Sequence, residues 1–149
     1  MLSLFQHYSV GSNNHRTNIF DKKQQKEEEA HNKRNLEILD SILDDDEEKF
    51  MNLLEGHYNS TLNQPFHITN YKVPEYLDDN LTYSSLCACF GAEKCFKSLS
   101  ILHPGGSEEM LKLDNSKRSP IHFACIGGNM TIIRELEQAN FDMNAKDIF

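Results

Sequence analysis

Cys87, Cys89 and Cys95, followed by His103, are the residues of this chain whose types could hold a metal, because thiolate and imidazole are the usual ligands of zinc. Their spacing argues against a site. On a helix Cys87 and Cys89 point to nearly opposite sides, and no C-x-x-C pair completes a set. Small buried hydrophobes are the better reading of all three. His122 and Cys125, three residues apart, could meet as base and nucleophile. Nothing in the sequence supplies an oxyanion site or a third orienting group for them. Gly127-Gly128 and Gly105-Gly106 lack the Lys-Ser/Thr of a phosphate loop and read as turns. The acidic run Asp44-Asp45-Asp46-Glu47-Glu48 reads as a solvated cluster at a helix start. No catalytic, cofactor-binding or metal-ligating residue is assigned, and the chain is expected to have no enzymatic activity.

Composition sets the frame in which those residues sit. With 149 residues, 38% hydrophobic and 26% charged, the chain has the make-up of one soluble domain, and no apolar run has the length of a membrane span. Four cysteines without a disulfide-like spacing, and no secretory leader, point to the cytoplasm or nucleus. Charge is uneven. Residues 1–35 hold six Lys/Arg against four Asp/Glu, while residues 36–149 hold nine against nineteen, within a net charge of −8. An acidic body repels phosphate backbones, so nucleic acid is disfavoured as a partner and a basic protein is mildly favoured.

The elements follow from punctuation and period. Residues 1–34 are polar with no sustained period and read as a flexible extension, with a solvated helix over the run KKQQKEEEAHNKR as the other reading. Leu36, Leu39, Ile42 and Leu43 fall at helical spacing, and Phe50, Leu53 and Leu54 follow the acidic run, so 36–56 predicts two helices and a tight turn. Residues 57–79, with Pro65 and Pro74, predict a long loop.

The stretch from Asp114 to Asp147 reads as one supersecondary unit. Ser119-Pro120 supplies an N-cap hydroxyl and a proline at the first helical position, and Ile121, Ala124 and Cys125 share a face. Gly127-Gly128 stops that helix, and a second runs from Met130 to Gln138 with Ile132, Ile133 and Leu136 as its apolar stripe. Arg134, Glu135 and Glu137 are left for water. Residues 80–113 repeat the pattern at a shift of 37, with Thr82 matching Ser119, Gly91 matching Gly128 and Leu99 matching Leu136. The extra length fits the turn His103-Pro104-Gly105-Gly106.

The segment SPIHFACIGGNMTIIRELEQANFDMNAKD resembles the ankyrin repeat, and its residues 119–125 match the family's TPLH-x-A-A signature. Lys117 stands where the family has the hairpin glycine, and Asn140-Phe141 where it has glycine-alanine; asparagine tolerates the left-handed conformation needed there. The acidic first unit and Phe90-Gly91-Ala92-Glu93-Lys94-Cys95-Phe96-Lys97-Ser98-Leu99 are similar to the degenerate ankyrin-repeat proteins abundant in protists. The resemblance implies an all-α helical solenoid: a cap-like unit at 36–56, a degenerate repeat at 80–113 and a well-matched one at 114–147. It implies that His122 is a hydrogen-bonding strut between loops. It implies a module that binds another protein through turn tips and first helices, at Asn115, Lys117, Arg118, Phe123 and Ile126, and at Leu86, Cys89 and Phe90. No membrane, nucleic acid or cofactor is implied.

Stacked repeats bury an apolar stripe against a neighbour, so the end of the array near Ile121, Ile132, Met143, Ile148 and Phe149 is expected to self-associate or to continue into a longer array. Glu135 and Glu137, where the family has leucine, would act as a partial cap. Two other readings stand beside the binding module: a piece of a longer ankyrin array with no role of its own, and a Cys/His metal-binding protein.

Overall fold

The computed structural model describes residues 14–55, 81–102 and 112–147. The loop expected at 57–79, the turn at His103-Pro104-Gly105-Gly106, and Ile148 and Phe149 lie outside the described residues, as do residues 1–13. All regular structure among the described residues is α-helical: α1 Asn14–Leu43, α2 Glu47–Glu55, α3 Tyr83–Phe90, α4 Glu93–Leu102, α5 Pro120–Gly127 and α6 Met130–Gln138. No helix among them is long and apolar enough to cross a membrane. The chain divides into two units, Met1–His31 and Asn32–Phe149, and α1 passes through the boundary.

In the first unit, residues 14–31 are helical, where the sequence favoured a flexible extension. Helix-forming lysines, glutamines and glutamates account for the difference, with an i, i+4 pair of Lys23 and Glu27 at 4.0 Å. Both side chains are solvated, so the pair adds only about 0.3–0.5 kcal/mol.

The second unit begins with a buried stripe on α1 at Asn35, Ile38, Leu39 and Ile42, spaced i, i+3, i+4, i+7. Leu36 and Leu43, expected in that stripe, lie half-buried and exposed because each is about a quarter-turn off its axis. Arg34 Nη2 donates to the Leu53 carbonyl at 2.8 Å and ties α1 to α2. The turn between these helices uses the acidic run as capping chemistry. Asp46 accepts from Lys49 N–H at 3.0 Å and opens α2. Asp45 takes the left-handed conformation, φ 49°, and its carboxylate does not cap α2. It accepts instead from Lys94 N–H and Cys95 N–H, at 3.0 and 3.1 Å, at the start of α4. The residue before α4 is Ala92, which has no capping oxygen, so the turn between α1 and α2 supplies the cap. A contact of this kind contributes about 1 kcal/mol.

Two further helix pairs follow. Thr82 caps α3 by accepting from Ser85 N–H at 3.1 Å, and left-handed Gly91 closes it. Asn129 caps α6 by accepting from Ile132 N–H at 2.9 Å. The helices pack as α3 on α5, α3 on α4, α5 on α6, α2 on α4 and α4 on α6. One core joins them: Phe50 and Leu54 from α2, Leu86 and Cys87 from α3, Cys95, Phe96 and Leu99 from α4, Phe123 and Ala124 from α5, and Ile132 and Leu136 from α6. Each leucine or phenylalanine buried this fully contributes about 1.5–3 kcal/mol. Phe50 meets Tyr83 edge-on, with ring centroids 6.3 Å apart, and links α2 to α3.

Candidate functional site

The turn that leads into α5 is built around one carboxylate. Asp114 Oδ1 accepts from Ser116 N–H and Arg118 N–H at 2.9 and 2.8 Å, and Oδ2 accepts from Arg118 Nε and Nη2, both at 2.7 Å. Lys117 N–H donates to the Asp114 carbonyl at 3.0 Å, and Lys117 takes φ 59°. Its expected place at a glycine-like corner is therefore real, at a cost of about 1–2 kcal/mol for a residue with a Cβ. The Asp114–Arg118 pair is buried, and the Arg118 guanidinium lies 4.8 Å above the Phe123 ring. Removing one partner of such a pair costs about 3–5 kcal/mol, because the other charge is left buried and uncompensated.

Those contacts sort the residues expected at a binding surface. Arg118 and Phe123 are buried beneath the turn, and Leu86 and Cys89 are buried in and beside α3. Their side chains support that surface and contribute little area to it. Leu86 and Phe123 correspond at the shift of 37 and occupy the same inward position of their helices. Asn115 and Lys117 are exposed at the turn, Phe90 is 36% exposed and Ile126 is 47% exposed. Each of the last two stands in the final turn of its helix, α3 or α5, and those helices pack side by side.

No protein-family model matches this chain, and no curated protein or solved structure does.

The groups with reactive chemistry are engaged or isolated. Ser119 N–H donates to His122 Nδ1 at 3.0 Å. An N–H can only donate, so Nδ1 is unprotonated and Nε2–H donates to the Ala145 carbonyl, 3.1 Å away. Both ring nitrogens are committed to holding the start of α5 to the loop after α6. Cys125 therefore has no base in His122. Cys125 is also exposed, where its place in the signature suggested a shared buried face with Ile121 and Ala124. Cys87, Cys89 and Cys95 are buried. Burial pushes the Cys95 thiol up to about 12, with the carboxylates of Asp45, Glu47 and Asp46 adding to the effect. Its Sγ lies 3.9 Å from the Ser41 carbonyl oxygen. Burial raises the Cys89 thiol as well, and the nearby Arg118 charge offsets part of that. Among the described residues no group of three or more His, Cys, Asp or Glu side chains is placed to hold a metal ion.

Of the end surface expected to be sticky, Ile121 and Ile132 are buried in the shared core, and Met143 is exposed. Met130, at 57% exposure, was not singled out by the sequence. Its signal was present: the residue 37 positions earlier is Glu93, a charged and exposed residue.

Proposed function

We propose that residues 36–147 form a short ankyrin-type solenoid whose work is to bind another protein, without catalysis. The observation that carries this reading is a set of exposed side chains on a turn and two helices that the core holds in place. Asn115 and Lys117 stand on a turn tied down by the buried Asp114, and Phe90 and Ile126 stand at the ends of two helices packed on each other. Rigid presentation lowers the ordering cost of association, so a few apolar and charged groups suffice for recognition. The glycine-stopped helix pairs, the His122 strut and the repeat at a shift of 37 support the ankyrin-type assignment. An acidic body with a lone exposed lysine at the turn favours a partner of mixed charge with a basic majority.

The test compares the intact chain with a Phe90→Ser, Lys117→Gly variant, immobilised and exposed to extract from its source cells. Glycine accepts the left-handed corner, so the Lys117 change leaves the turn intact, and a thermal melt checks that the double variant is folded. The expected result is one or a few proteins retained by the intact chain and reduced at least tenfold, about 1.4 kcal/mol, on the variant. Equal retention by both would remove the surface from the proposal. Arg118 and Phe123 are unsuitable probes, because changing them removes support from the turn.

A further inference from the structure

We draw no further inference here: the strongest candidate, the stripe of exposed side chains at Ile19, Lys22, Lys23 and Lys26 on the first-unit part of α1, is offset by Asp21, Glu27, Glu28 and Glu29 within the same stretch, and nothing in the structure shows what covers it.

Discussion

Glu135 carries a charge that the folded chain holds at a disadvantage. Burial raises its carboxyl above the ordinary value, and the adjacent Glu93 adds to this while Lys97 opposes it. For an acid raised on folding, the neutral form favours the folded state, so this contribution is present below the unfolded pKa and is lost as pH rises through the folded one. Glu135→Gln should therefore raise the melting temperature by a small amount at about pH 7 and leave it unchanged at about pH 4, where much of the carboxyl is already protonated. Thermal melts of both chains at the two pH values check this; an equal shift at both would show that packing, rather than charge, is responsible. Alternation of polar and apolar residues on α6 marks Glu135 as hydrophilic and reveals nothing of the α4 charges beside it. The same holds for Arg118, placed at the surface by its position in the repeat, which the turn folds onto Phe123 and pairs with Asp114.

At the scale of elements, the adjacent glycines at the end of α5 serve different ends. Gly128 takes φ 66° with open space around it, so it is needed for its backbone conformation. Gly127 is ordinary helix, and a Cβ there would collide with the Cys89 carbonyl oxygen on α3. Gly128→Ala should cost about 1 kcal/mol, the usual penalty for a Cβ in the left-handed region. Gly127→Ala should cost about 2–3 kcal/mol, because two backbones must separate to admit the methyl group. Urea unfolding of the two variants measures both, and equal losses would show that α3 and α5 are not in close contact at this point. A glycine pair after a short helix signals a stop in any sequence. Which of the two is pressed against a neighbour depends on where that neighbour lies.

For the whole molecule, the described helices of Asn32–Phe149 share one core, whereas the described side chains at 19–30 are exposed. Trypsin should therefore cut first among Lys22, Lys23 and Lys26 and leave Lys117 and Arg134 intact in the early digest, which mass spectrometry of timed samples reads directly. First cleavage at Arg134 would mean that α6 is not held by the core. Local chemistry made much of this fold legible without coordinates. A hydroxyl before a proline, a glycine after an apolar run and apolar residues at helical spacing each act on their own few residues, so the bounds of α5 and α6, the helical class and the repeat at a shift of 37 could be read directly. The long loop at 57–79 was read the same way and lies outside the described residues. Burial of individual side chains was decided elsewhere. Asp45 capping α4, Arg118 lying under its turn, and Cys125 and Met130 left bare while Ala88 is covered all depend on groups distant in sequence, and only tertiary packing sets which of two chemically similar residues a neighbouring helix reaches.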